Sequence, residues 1–140
     1  MMFQNIVEFK ELTRTAAEAA DQIGCEIGQI AKSIIFKDGN GQPVLVIASG
    51  KNYVDTKIVQ QEIKNKIEKA DADFCKEVTG FVIGGIPPYG HKQEIVTLID
   101  ADLLQYKDIW ASAGKPNAVF KLTPKELVEK SKGKIISSSK

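Results

Sequence analysis

The stretch QIAKSIIFKDGNGQPVLVIAS, from Gln29 to Ser49, constrains the fold more than any other part of the chain. Two runs rich in β-branched residues flank an Asp-Gly-Asn-Gly turn, which predicts a β-hairpin whose glycines serve the turn and not a ligand. Alternation along the first run groups Lys32 with Ile30, Ile34 and Phe36, the apolar set. A lysine sent toward an apolar surface is costly unless it reaches water, pairs with a carboxylate or shifts its pKa. Lys32 therefore has two readings. It snorkels at the sheet's end or pairs with a carboxylate, or it is a cation at the bottom of a pocket, facing an anion, a carbonyl oxygen or a phosphate.

Around the hairpin the pattern is mixed. IVEFKEL, from residue 6, alternates as a short strand. Thr15 and Glu18 form a capping box for a helix over about 16 to 23, and Gly24 supplies its left-handed stop. Asp55 is placed to cap a helix running to about Lys69, with Val59, Ile63 and Ile67 spaced four apart. DADFCKEV adds a helical turn, EIVTLID reads as a strand, ADLLQY as a turn of helix, and DIWAS and AVFKL as strands. TPKELVEKS closes as a helix, with Thr123 as cap, Pro124 at its first position and Glu126 completing a box. The final SSSK is expected to fray. About six strands with four short helices predict a mixed α/β domain whose sheet is curved or closed.

Composition narrows the function classes. At 140 residues and 43% hydrophobic, the chain suits one domain spanning 1–140. It shows neither a membrane-length apolar run nor a signal-peptide pattern at its start, so a cytoplasmic location and no membrane partner are expected. Cys25 and Cys75 fit no CxxC pattern, and with one histidine they make no usual zinc site, so neither metal nor cofactor is expected. Net charge is +1 and Arg14 is the only arginine, which argues against DNA or tight nonspecific nucleic-acid binding but leaves room for loose lysine–phosphate contacts. Lys57, Lys64, Lys66, Lys69 and Lys76 are interleaved with Glu62, Glu68 and Asp71 and read as a solvated face. ASGKN lacks a Walker loop's first glycine, Leu45 standing there, and has Asn52 where Ser or Thr is required. One histidine also makes a Ser-His-Asp triad improbable.

TGFVIGGIPPYGHKQ, Thr79 to Gln93, is harder to place. It sets Gly84 and Gly85 before Pro87 and Pro88, then Tyr89, Gly90 and His91, the sole histidine. The stretch is either a tight turn between sheet elements, with His91 on its surface, or a rigid rim. As a rim, its bare amides could hold an oxygen that gains negative charge.

TAAEAADQIGCEIGQIAKSIIF, TGFVIGGIPPYGH and WASAGKPNAVFKLTPKELV follow one another as they do in the YbaK family, the free-standing relatives of the editing domain inserted in bacterial prolyl-tRNA synthetases. The resemblance covers roughly residues 6 to 136. Its most specific parts are the strand lysine and the GxxxP run from Gly84 to Pro88. It implies a barrel-like curved mixed sheet with helices packed around it. It also implies hydrolysis of the ester joining a wrong amino acid to the 3′ end of tRNA, commonly tRNA(Pro). The expected partners are the aminoacyl-tRNA acceptor end and prolyl-tRNA synthetase. The strand lysine of such relatives is required for activity, which carries over to Lys32. Their GxxxP loop lines the substrate pocket, which carries over to Gly84, Gly85, Ile86, Pro87 and Pro88, with Tyr89, Gly90 and His91 continuing the loop. Many relatives have histidine where this chain has Asn117, so the wall would keep a hydrogen-bonding group but lose a titratable one. The competing expectations are a catalytically weak module that binds a tRNA end, a nucleotide or a synthetase, and an unrelated small-molecule hydrolase.

Overall fold

The structure is a computed structural model that describes residue 3 and residues 5–9 and 15–137. The hairpin is its centre. β2 (Ile30–Asp38) and β3 (Pro43–Ser49) pair antiparallel with Lys32 opposite Ala48 and Phe36 opposite Val44. Asp38 closes the turn, its carboxylate accepting from the amides of Asn40 and Gln42. β5 (Val96–Asp100) runs parallel to β3 on the far side, followed by β8 (Lys134–Ile136). In the other direction β2 meets β6 (Ile109–Lys115), then β7 (Ala118–Leu122) and β1 (Ile6–Glu8). The result is a mixed sheet in the order β1-β7-β6-β2-β3-β5-β8, with β4 (Ile67–Lys69) on the outer end of β2. The ladder does not close, so the sheet has edges at β1 and β8.

Burial on both faces explains why β3 is buried throughout and apolar up to its last residue, Ser49. One face carries Ala31, Ile35, Leu45, Ile47, Ile99, Ala111 and Phe120, covered by α3 (Ala72–Thr79) and α4 (Pro124–Ser131) through Cys75, Val78 and Leu127. Leu45 and Ile47 are fully buried here, and truncating either to alanine should cost about 2–5 kcal/mol. The opposite face holds two smaller clusters. α1 (Ala16–Ile23) lays Ala19 and Ala20 on Ile30 and Val119, and α2 (Thr56–Ile63) lays Val59 on Phe36, Val44, Val46 and Leu98. Lys32 and Ala48 sit across from each other between these clusters.

Most helix ends fall where the caps placed them. Thr15 accepts from the Glu18 amide and Gly24 ends α1 at φ +83°, while Thr123 and Glu126 form the reciprocal box of α4. α2 is shorter than its periodicity predicts. It stops at Lys64, in the left-handed region at φ +59°, and the chain turns into β4. Gln60 accepts the Ile67 amide, and β4 pairs with Phe36–Asp38. Ile67 still packs on the α2 cluster, but from a strand, so four-residue spacing overstated the helix. The helical turn expected in DADFCKEV is the two-turn α3, capped by Asp71. ADLLQY becomes a 3₁₀ turn over Ala101–Gln105. Of the expected fraying end, residues 138–140 lie outside the described residues, as do Arg14 and the 10–12 end of the predicted first strand.

Candidate functional site

The sheet opens beside Lys32. β2 pairs with β6 only at Ile30 and Ala31, and with β4 only from Phe36 onward, so Lys32, Ser33 and Ile34 have no strand partner along that edge. The cause lies in β6. Its register with β7 shifts between Ser112 and Lys115, and Gly114 takes φ +100°. Such a bulge bends a strand away from its neighbour. Ser112 Oγ donates across the bulge to the Lys115 carbonyl at 3.3 Å.

A cavity of about 750 Å³ fills the opening, within the usual range for small-molecule sites, about 300–1,000 Å³. Lys32 and Ser33 form its floor, Gly84 and Ile86 one wall, Trp110, Ser112, Pro116 and Ala118 another, and α1 with Gly50, Lys51 and Tyr53 the rim. Among the described residues, the charged ones that line it are lysines, and neither a carboxylate nor a histidine is among them. The field therefore favours an anion or an oxygen gaining charge.

Lys32 is half-buried. Among the described residues it makes no ion pair, and its nearest aromatic neighbour is Tyr53, whose ring centroid lies 5.5 Å from Nζ. Burial lowers its pKa, with Asp100 partly opposing the shift. That buried carboxylate is committed elsewhere, accepting from the amides of Ser49 and Asp102 and from the Asn52 side chain. Ser33 presents a second unmet need, because its Oγ is buried and has no hydrogen-bond partner among the described residues. Buried hydroxyls are ordinarily satisfied, so an unsatisfied one on a residue that lines a cavity is a candidate partner for a ligand's polar atom.

The GxxxP loop is shaped differently from its sequence reading. Gly84 adopts φ +91°, lines the cavity, and would bring a Cβ into ordinary contact with Pro116 at 3.9 Å. Gly85 is buried, and a Cβ there would lie 3.0 Å from the Lys115 backbone. Its missing side chain admits the β6–β7 turn and not a ligand. The Gly85 amide is also engaged, donating to the Val82 carbonyl at 2.9 Å. The Gly84 and Ile86 amides carry no hydrogen bond within the described residues and are the available donors.

The structure divides the remaining candidates. Pro88, Tyr89, Gly90 and His91 line a separate cleft of about 820 Å³, between the loop and the ends of α2, β5 and α4. Pro87 is buried between the two. His91 Nε2 donates to the Pro87 carbonyl at 2.6 Å, since a carbonyl can only accept, and burial lowers its pKa. Tyr89 packs on Phe3 and Phe120, with Lys130 over its ring. Asn117 lies between two cavity-lining neighbours, yet its amide points to the Phe9 carbonyl at 3.4 Å and its own carbonyl accepts the Phe9 amide. Sequence reasoning did not single out Ser33, Tyr53 or Ser112. Ser33 follows the unusual lysine directly, and that adjacency was the one signal available.

Comparisons with known proteins identify the family and the fold. Residues 10–130 match the model of the aminoacyl-tRNA editing domain family. The chain is 31% identical over 131 residues to the uncharacterized protein YwhH of Bacillus subtilis, covering 94% of this chain and 83% of that one. It is 28% identical over 120 residues to a protein of Enterococcus faecalis named "Putative Cys-tRNA(Pro)/Cys-tRNA(Cys) deacylase EbsC", covering 85% and 73%. A crystal structure described as "a putative trans-editing enzyme for prolyl tRNA synthetase" superposes with a TM-score of 0.92 at 38% identity, covering 96% of this chain and 85% of that one.

Proposed function

The chain belongs to the aminoacyl-tRNA editing domain family, and from that premise we propose that it is a free-standing deacylase acting on the ester of a mischarged tRNA. The observation that carries the reading is a half-buried Lys32 that pairs with no described carboxylate and shares its cavity with Gly84 and Ile86, whose amides carry no hydrogen bond among the described residues, the described lining holding no acidic residue. We further propose tRNA(Pro)-type substrates and prolyl-tRNA synthetase as a partner. The names of the enterococcal relative and the superposing structure support both.

In this mechanism water adds to the ester carbonyl carbon, negative charge gathers on the carbonyl oxygen, and the bond to the ribose oxygen breaks with a proton passing to that oxygen. The Gly84 and Ile86 amides meet the developing charge; one such donor is worth roughly 2.7–4 kcal/mol in comparable sites. The Lys32 ammonium acts from the floor on the same oxygen or on the neighbouring phosphate. Ser33 Oγ offers the bound ester a hydrogen bond that the described residues leave unmade. The described residues of the cavity supply no histidine or carboxylate to activate the water. The base is then the substrate's own ribose hydroxyl next to the ester. Asn117, turned toward Phe9, supports the wall and does not take part.

The test is incubation with a panel of mischarged tRNAs, measuring free amino acid released. Release that disappears in Lys32→Met supports the deacylase. Saturable tRNA binding without release from any member identifies a binding module on the same fold.

A further inference from the structure

We propose that Tyr53 is a stacking platform for the terminal base of the nucleic-acid strand that carries the ester, a role that rests on the deacylase reading.

Tyr53 is 85% exposed, the most open large hydrophobic side chain among the described residues. An isolated tyrosine so exposed contributes little to folding, and a surface aromatic needs no explanation when it stands alone. This one does not. It lines the rim of the cavity whose floor is Lys32, and the lysine Nζ lies over its ring at 5.5 Å, leaving the rest of the ring in solvent.

Its backbone is fixed on both sides. Gly50 donates to the Ile30 carbonyl at 2.7 Å and is wedged so tightly that a Cβ would lie 2.5 Å from the Ile27 carbonyl oxygen. Asn52 bridges two carboxylates, donating to Asp100 at 2.9 Å and to Asp102 at 2.7 Å. Asp55 then caps α2 two residues later. A bare aromatic on an anchored loop is preordered for a flat partner, so little freedom is lost when one binds.

The chemistry beside it selects that partner. Lys51, exposed on the same rim, suits a phosphate, and the cavity beyond is where the ester would lie. A flat group flanked by a phosphate on one side and an acylated sugar on the other is a terminal nucleoside. Every base has a π-face, so stacking accepts the end of the strand without reading its sequence.

The probe is an uncharged RNA hairpin with an unpaired ACCA 3′ end, labelled at its 5′ end and compared with the same hairpin lacking only the terminal base. Binding is followed by fluorescence anisotropy with the intact protein. For the intact end, Tyr53→Ala should weaken binding about tenfold or more, and Tyr53→Trp should preserve it. Deleting the terminal base should cost the wild-type protein a similar factor and cost Tyr53→Ala almost nothing, because one interaction cannot be lost twice. Equal binding, or equal failure to bind, of the two ends by the wild-type protein overturns the proposal, as do losses that multiply. The two readings fail separately. Ester hydrolysis by a protein indifferent to the terminal base removes only the platform, and a base-dependent Tyr53 in a protein that releases no amino acid removes only the deacylase.

Discussion

The Lys32 ammonium stands 5.5 Å from the centroid of the Tyr53 ring, and no described carboxylate comes within ion-pair distance of it. An unpaired cation held partly out of water costs the native state free energy. Lys32→Met keeps length and packing while removing that cost, so the melting temperature should hold or rise modestly as deacylation falls sharply. Burial lowers the pKa of Lys32 in the folded state. The penalty is therefore fully present at neutral pH, and stability recovers as pH climbs from the folded toward the unfolded value, where the unfolded chain binds more protons. The Lys32→Met advantage should shrink over the same alkaline range. A large loss of melting temperature with activity retained would return Lys32 to a structural role.

Ser33 tests the cavity from the other side. Its buried Oγ has no partner among the described residues, so Ser33→Ala relieves an unmet hydrogen bond and should leave stability unchanged or slightly higher. If the hydroxyl bonds the substrate, the same variant should lose about three- to tenfold in kcat/KM, the size of one ordinary hydrogen bond. Urea unfolding and steady-state deacylation, run on one preparation, separate the two effects. Destabilisation with unaltered kinetics would show that the hydroxyl serves the fold.

The readable parts of the sequence were those governed by local rules. The hairpin, the Thr15 and Thr123 caps and the apolar β3 rest on turn chemistry and alternation within a few residues. Lys32 was legible because one charge broke a period of two. Its meaning was not, since both faces of the sheet are buried and the apolar set it joins is split between α1 and α2. The β6 bulge that opens the sheet, and the pairing of β4 and β8, depend on tertiary contacts that no short window contains. The loop misled in an instructive way. Gly84 and Gly85 look equivalent on paper, yet one lines the cavity and the other packs against Lys115.

That difference predicts different costs. Gly85→Val forces a branched side chain into a backbone already 3.0 Å from the Cβ position and should destabilise by about 1–3 kcal/mol or more, parting the loop from the β6–β7 turn. Gly84→Ala makes only an ordinary contact with Pro116 but must hold φ +91°, a strain of about 1–3 kcal/mol that relaxation of the loop can relieve. Activity should fall in both, in Gly85→Val together with melting temperature and in Gly84→Ala chiefly through the displaced amide. Undiminished turnover in a folded Gly84→Ala would place the oxyanion donors elsewhere.

His91 gives the loop an acid limit. Its Nε2–H donates to the Pro87 carbonyl, and burial lowers its folded-state pKa despite that bond. As pH falls below the usual histidine value of about 6.5, the unfolded chain takes up a proton that the folded chain resists. The unfolded state then binds more protons, so stability drops with falling pH until the folded value is passed. His91→Gln removes the titration and keeps an N–H donor for Pro87, and it should flatten the curve of melting temperature against pH between about 5 and 7. If His91→Gln keeps the wild-type acid slope of melting temperature, the limit belongs to other groups.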